Sequence, residues 1–500
     1  MRSSINRSSV NPSSVNPSSV NGAADLAGAR VLVAGARVTG ISAARVLREW
    51  GAEVTVTDSS PAQLALAEAG LADPGVRVAA ALSAPPAGTD LVVTSPGFRP
   101  DAPLMVAALR AGVPVIGDVG LARWVDRARA GPEGQSDWLV VTGTNGKTTT
   151  VGMLESILRA AEVDVVACGN IGLPVLDAVC AGHRVLAVEL SSFQLHWSRE
   201  LDPRAAAVLN VSADHLDWHG SMTSYAEAKG SVYAEGTSVV FNLDDEWSTR
   251  LAAGRGGVGF STAEPRPGEL GIVGGQLVDR AFGGDDGGEV DGTVLAALAE
   301  VRPPGPHNVA NALAAAALAR TAGVPADAVA DGLRAFTPGG HRGAPVGEYD
   351  GVQYVDDSKA TNPHAARAAL LAHPRVVWVA GGLLKGADVD TLARLVADAR
   401  DRLIGAVLLG TDRVVIADAL ARHAPDIPVR MVDSGDDEAM TEVVAAAADL
   451  ARPGDVVLLA PAAASMDMFS DYAQRGRAFA AAVAALSAAR APGPSGGAAR

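Results

Sequence analysis

Cysteine is almost missing: the 500 residues hold two, Cys168 and Cys180. Two thiols in so long a chain make no disulfide framework, so a reducing, cytoplasmic compartment is expected. Neither sits in a CxxC pair or beside a histidine, which removes the common thiolate metal sites. Basic residues are outnumbered as well, 41 Lys and Arg against 56 Asp and Glu, for a net charge of -15. That balance argues against binding nucleic acid and for a soluble protein. No apolar run is long enough to cross a bilayer, so no membrane insertion is expected. The N-terminus lacks the apolar core of a signal peptide. It reads SSVNPSSVNPSSVNG from Ser8 to Gly22, a short repeat without the means to bury a core. Residues 1–26 are therefore expected to be a disordered tail, as are residues 489–500 in the Gly- and Pro-rich end that follows Ser487.

What is present between the tails is an ordinary globular composition, 48% apolar and 19% charged, with length for two to four domains. Strand-like runs alternate with helical ones throughout. Arg30–Ala34 leads through Gly35-Ala36-Arg37-Val38-Thr39-Gly40 into a helix from Ile41 to Trp50, then a strand Glu53–Thr57 ending at Asp58. This is a βαβ unit with an acid about 20 residues past the glycine turn, although Arg37 replaces the middle glycine of the dinucleotide fingerprint. Strands at Asp90–Thr94 and Val113–Ile116 follow, the first running into Ser95-Pro96-Gly97. A joint at Gly131-Pro132-Glu133-Gly134 separates this region from the next. Further strands are expected at Arg184–Glu189, Ala205–Asn210, Gln353–Val355, Val376–Ala380, Ala406–Leu409 and Val456–Leu459, with an exposed insertion at Gly283–Gly292. The alternation predicts parallel sheets covered by helices. The expected organisation is three α/β domains, at residues 27–133, 134–338 and 339–488: a Rossmann-like first domain, a P-loop ATPase-type centre and a Rossmann-like third.

The most informative stretch is VVTGTNGKTTTVGML, Val140 to Leu154. A buried strand enters a glycine turn and leaves as a helix, so backbone N–H groups and the helix dipole converge on one point. Gly143, Thr144, Asn145 and Gly146 form the turn. Lys147 can reach terminal phosphates, and the hydroxyl of Thr148 or Thr149 can stand beside Mg²⁺. The two glycines enclose two residues here, whereas the usual P-loop encloses four. The loop implies ATP or a similar nucleotide without naming the acceptor.

Other strand ends carry polar groups, where α/β sheets bind ligands. Glu189 ends a strand in VELSSFQL, and a carboxylate there can hold Mg²⁺. Asp214, His215, Asp217 and His219 crowd the loop NVSADHLDWHG; their spacing fits no closed zinc site, so a second magnesium or a substrate phosphate is expected. Lys229 in SYAEAKG is, from spacing alone, a solvated helix lysine. Asp357 in DDSKATN could take a ribose hydroxyl and Lys359 a phosphate. AGGLLKG (Ala380–Gly386) and APAAASMD (Ala460–Asp467) end two further strands. The third region thus fits a domain closing over a nucleotide held elsewhere.

Taken together, GTNGKTTT, ELSSFQL, DHLDWHG, HNVANALAA (His307–Ala315) and DDSKATN resemble the Mur ligase family, in order and over nearly all of the chain between the tails. The resemblance implies an ATP- and Mg²⁺-dependent amide ligase of cytoplasmic peptidoglycan precursor synthesis. VAGARVTG, SPG, DDSKATN and SMDMFSDYAQRG point to a member joining D-glutamate to UDP-N-acetylmuramoyl-L-alanine, as a monomer. In that reading Val38 and Thr39 lie near the diphosphate, Asp58 and Ser59 at the uracil, and Ser95, Gly97 and Asn170 along the same groove. Lys147 holds ATP phosphates and Thr148 a magnesium. Glu189 and His215 hold metal, and Lys229 becomes a metal-binding carbamate. Asn308 and Asn311 approach the adenine, Arg342 the phosphates and Asp357 the ribose. Lys385, Thr361, Ser465, Met466 and Tyr472 surround D-glutamate, with Lys359 alongside. Five positions depart from the family's pattern: Ser60, Gly120, Trp218 and the pair Leu383-Leu384. The competing readings are a sister ligase with another amino acid or acceptor, a nucleotide-dependent regulator, and a nicotinamide oxidoreductase resting only on Gly35–Gly40.

Overall fold

The apolar runs become strands buried on both faces, as parallel strands under helices must be. The computed structural model describes residues 23–490 apart from 72, 74, 131–133, 283–291, 385–388 and 434–438. The repeat at Ser8–Gly22, most of the joint at 131–133, the insertion at 283–291, Lys385 and the chain after 490 lie outside the described residues.

Three sheets are present among the described residues. The first has strands β1 (Arg30–Ala34), β2 (Glu53–Asp58), β3 (Val76–Ala80), β4 (Leu91–Thr94) and β5 (Val115–Gly117), in the order β3-β2-β1-β4-β5 and all parallel. The second contains β6 (Asp137–Thr142), β7 (Val165–Gly169), β8 (Val185–Glu189), β9 (Ala205–Val208), β10 (Ser238–Asn242), β11 (Val258–Phe260), β12 (Glu269–Val273), β13 (Gln276–Asp279) and β14 (Thr293–Ala297). Its order is β14-β13-β12-β11-β10-β9-β6-β8-β7. It is parallel from β7 to β12 and turns antiparallel at β13. The third contains β15 (Ala344–Tyr349), β16 (Val352–Asp356), β17 (Val376–Gly381), β18 (Leu403–Leu409), β19 (Val429–Met431) and β20 (Val456–Leu459), ordered β15-β16-β20-β17-β18-β19. Only its edge pair β15–β16 is antiparallel.

The chain divides into two compact units. One takes the chain to Ala296 with Asn311–Leu333, the other Ala297–Ala310 with the chain from Arg334. The first two sheets lie in the first unit and share one continuous core, from Leu26, Val31 and Leu47 to Trp138, Leu186 and Ala206. The third sheet separates two cores by residue parity. Val376 and Trp378 face one, with Leu370 and Leu395; Val377 and Val379 face the other, with Val443 and Phe479. That is the period-two alternation of a strand covered on both faces.

Several boundaries differ from the sequence reading. Ala23–Leu26, assigned to the tail, form a helix whose Leu26 is fully buried. The helix expected from Ile41 begins at Val38, inside the glycine turn, so its first N–H groups lie closer to that turn than expected. At the other end the helix Tyr472–Arg490 runs past Ser487. Strands β3, β7, β10 to β15 and β19 were not expected.

Candidate functional site

The P-loop is built as its sequence requires. Strand β6 ends at Thr142 and the helix Lys147–Ala160 starts after Gly146, which has φ 87. A Cβ on Gly146 would lie 2.3 Å from the Asn311 Oδ1, so the left-handed turn and the buried amide together demand glycine. Asn311, expected beside the adenine, thus lines the P-loop directly.

The loop is braced from β9. The Asn145 N–H donates to Asn210 Oδ1 at 2.9 Å, and Asn210 Nδ2 donates back to the Asn145 carbonyl at 3.1 Å. The Thr144 hydroxyl lies 3.0 Å from the Tyr225 hydroxyl and accepts from the Ser212 N–H at 3.0 Å. Neither Asn210 nor Tyr225 was singled out from the sequence. The sign available was the Asn at the end of a strand-like run.

Around this loop stand the expected chemical groups. Lys147 Nζ turns back on the loop, donating to the carbonyls of Gly143 at 2.9 Å and Thr144 at 3.0 Å. Lys229, on the helix Met222–Gly230, is 1% exposed rather than solvated. It donates to the Gly143 carbonyl at 2.8 Å and lies 4.5 Å from the centre of the Tyr225 ring. Burial, reinforced by Lys147, holds its pKa well below an ordinary lysine's.

Glu189, at the end of β8, is 3% exposed. Its Oε2 accepts from the Thr148 hydroxyl at 2.5 Å and its Oε1 from Asn170 Nδ2 at 2.8 Å. Both donors are neutral, so the carboxylate's charge is left for a cation. A buried carboxylate beside a hydroxyl is a hard-oxygen set of the kind Mg²⁺ takes, and these residues fit that ion. Asn170, expected along the substrate groove, is hydrogen-bonded to this carboxylate. Among the described residues no group of three or more His, Cys, Asp and Glu is arranged to hold a metal.

His215 adopts φ 53 and its ring meets Phe193 at 4.7 Å. The groups packed around the ring desolvate it enough to lower its pKa although the side chain is 46% exposed, with Asp214 opposing and Lys229 and Lys147 adding to the effect. His219 donates to or accepts from the Ser192 hydroxyl at 2.9 Å and is pulled down to about 4 by burial. Trp218, a departure from the family pattern, packs on Phe193, His196 and His219.

At the carboxyl end of the first sheet, Asp58 Oδ2 accepts from the Ala36 N–H and its Oδ1 from the Ser60 N–H, each at 2.9 Å. The aspartate therefore also fixes the glycine turn. Ser59 beside it is exposed. The Thr39 and Ser95 hydroxyls are 3.4 Å apart, and a Cβ at Gly35 would meet the Ser95 Oγ at 2.3 Å. Val38 is 64% exposed at the start of its helix, and nothing stands within 4 Å of a Cβ at Gly97. Gly120 donates its N–H to Ser198 Oγ at 3.1 Å.

In the second unit, Asn308 is buried and its amide meets the His307 Nε2 at 3.0 Å. Burial raises Asp357 to about 7, with Arg342 opposing. Lys359 Nζ lies 3.9 Å from the centre of the Tyr472 ring, and its N–H donates to the His341 carbonyl. Thr361 donates its N–H to the Lys359 carbonyl. Ser465 is buried, while Met466 is 65% exposed. Leu383 pairs with Ala464, and Leu384 donates its N–H to Asp412 Oδ2. The guanidinium of Arg475, 1% exposed, donates to Ser358 and to the Ala463 carbonyl, tying two of these strand-end loops.

Three family models match the chain: the Mur ligase middle domain over residues 141–319, the glutamate ligase domain of Mur ligases over 341–463, and the C-terminal domain of alanine dehydrogenase/PNT over 12–107. Among solved structures it resembles a UDP-N-acetylmuramate-alanine ligase from Thermotoga maritima, at 20% identity and TM-score 0.55, covering 91% of this chain and 99% of that one. That likeness concerns the fold. The UDP-N-acetylmuramoylalanine–D-glutamate ligase of Thermobifida fusca is 56% identical over 475 residues, 92% of this chain and 99% of that protein. The enzyme of the same name from Streptomyces coelicolor is 53% identical over 476 residues, 93% of this chain and 99% of that protein. The chain belongs to the Mur ligase family of ATP-dependent ligases, and within it to the group of relatives that bear this name.

Proposed function

We propose that the protein joins D-glutamate to UDP-N-acetylmuramoyl-L-alanine, with conversion of ATP to ADP and phosphate, in the cytoplasm. One observation carries the chemistry: Lys147, Lys229 and the Thr148–Glu189 pair surround a single P-loop. The identity to D-glutamate ligases over nearly the full length carries the substrates. The first sheet is then the UDP-substrate domain, the second the ATP domain and the third the amino-acid domain, with boundaries near residues 133 and 338.

A carboxylate is a poor acyl donor. An oxygen of the L-alanyl carboxylate attacks the γ-phosphorus of ATP, and ADP leaves. The amine of D-glutamate then attacks the acyl carbon, loses a proton and expels phosphate, leaving an amide. The loop N–H groups and Lys147 would cradle the phosphates. Magnesium, when bound, would neutralise charge on the transferring phosphoryl group. Thr148, Glu189 and His215 would hold it. Burial favours the neutral Lys229 amine, which would attack CO₂ and, on losing a proton, would give a carbamate able to serve as a further oxygen ligand. No helix among the described residues is long and apolar enough to cross a membrane.

The test is ADP release with ATP, Mg²⁺ and UDP-N-acetylmuramoyl-L-alanine against a panel of amino acids. Release that needs D-glutamate and ignores L-glutamate is expected. Release with another amino acid would make this a sister ligase. No release with any would favour a nucleotide-dependent regulator.

A further inference from the structure

Two segments of the first unit that serve different parts of the proposed chemistry are joined by one side chain. Arg99 follows the Ser95–Gly97 turn. Its Nη2 donates to the main-chain oxygen of Asp217 at 2.6 Å and its Nη1 to Asp217 Oδ2 at 3.4 Å. Asp217 stands two residues beyond His215. Asp101, in the segment of Arg99 itself, aims the guanidinium by accepting from its Nε at 3.0 Å.

The neighbouring residue makes a second tie. The Phe98 carbonyl accepts from Trp197 Nε1 at 3.1 Å, and Trp197 is buried among Leu32, Ala34 and Val92. Trp197 ends the helix Ser192–Trp197, which also carries Phe193 against the His215 and Trp218 rings. The pair Phe98-Arg99 therefore holds the His215 loop from both flanks. The loop needs holding. His215, Leu216 and Asp217 are exposed, and the loop's own regular structure is the single turn Leu216–His219. The Asp217 carboxylate is 82% exposed, so its ion pair with Arg99 is screened by water. The directional bond to the main chain is the one that fixes geometry.

We propose that Arg99 is a positioning residue for the ligase reaction: its hydrogen bond to the Asp217 main chain sets the His215 loop against the turn bearing Ser95 and Gly97. This rests on the proposed function, in which that turn meets the UDP-substrate and that loop meets the reacting carboxylate. Arg99 acts through Asp217 and touches no reacting atom.

The test compares full-length wild type, Arg99→Ala and Arg99→Lys. It reads KM for each of the three substrates, melting temperature, and calorimetric affinity for UDP-N-acetylmuramoyl-L-alanine with Mg²⁺ and a non-hydrolysable ATP analogue. Arg99→Ala is expected to weaken UDP-substrate KM and affinity by about two- to tenfold, the range for one hydrogen bond. KM for D-glutamate and the melting temperature should stay put. Lysine, which keeps a donor but loses the fork, should fall between. Unchanged UDP-substrate constants would overturn the proposal, as would equal changes in all three KM values with a lower melting temperature. Should wild type release no ADP with D-glutamate, the proposed function fails; the calorimetric comparison then decides for or against Arg99 if wild type binds UDP-N-acetylmuramoyl-L-alanine, and a wild type that binds none overturns both.

Discussion

Lys147 and Lys229 donate to one carbonyl oxygen, that of Gly143, at 2.9 and 2.8 Å. Two ammonium groups converging on one neutral acceptor repel each other, and Lys229 is the buried one. Burial lowers the Lys229 pKa, because desolvation disfavours a buried cation, and the neutral amine this favours is a nucleophile beside the P-loop. Lys229→Ala is expected to lose most ligase activity, with bicarbonate unable to restore it, while nucleotide binding persists through Lys147 and the loop N–H groups. ADP release with and without added bicarbonate checks this. An alanine variant with near-normal turnover would remove Lys229 from the mechanism.

Asn210 carries a second prediction. Its amide satisfies both the N–H and the carbonyl of Asn145, and both bonds are lost in Asn210→Ala. Losing a hydrogen bond to a backbone group typically costs about 0.5–1.5 kcal/mol. The variant should raise KM for ATP more than KM for D-glutamate and lower the melting temperature. Equal effects on both substrates would mean that Asn210 supports the fold and not the loop in particular.

These two residues mark what sequence can and cannot disclose. Gly143–Thr149 were legible because strand, glycines, lysine and helix agree along one contiguous stretch. Glu189 was legible as a strand-end carboxylate beside that loop. Lys229 was not: a lysine four residues from Tyr225 on a helix looks solvated, and only the family resemblance marked it. Its burial comes from the P-loop packing over it, a contact 86 residues distant in sequence. Asn210, Tyr225 and Arg99 act through equally distant partners. The long buried parallel strands were found at once. Strands β11 and β13 were not, being three and four residues long and lying on the β14 side of the second sheet.

Gly146 allows a sharper test of the loop. An alanine there would hold a left-handed conformation, at a cost of about 1–2 kcal/mol. It would also drive its Cβ to 2.3 Å from Asn311 Oδ1. Gly146→Ala should therefore lower stability by at least that amount and weaken ATP binding together with it. Denaturant unfolding and nucleotide titration measure the two. A variant as stable as wild type would show that the loop can relax away from Asn311.

Asp118 makes stability depend on pH. It opens the helix Asp118–Arg129 just after β5, is 8% exposed, and its Oδ1 meets no donor among the described residues. Burial pushes its pKa from 3.8 to about 7, against the N–H of Val119, which pulls it down. The folded protein thus keeps this proton up to about pH 7, whereas the unfolded chain releases it near pH 4. Between those values the unfolded state binds fewer protons, so stability falls as pH rises through the window and levels off above it. Three pH units at about 1.4 kcal/mol each set an upper bound of about 4 kcal/mol. Asp118→Asn keeps the shape of the protonated acid and removes the titration. It should melt higher than wild type at pH 8 and close to wild type at pH 4.5. A constant difference across that range would show that the carboxyl does not titrate there.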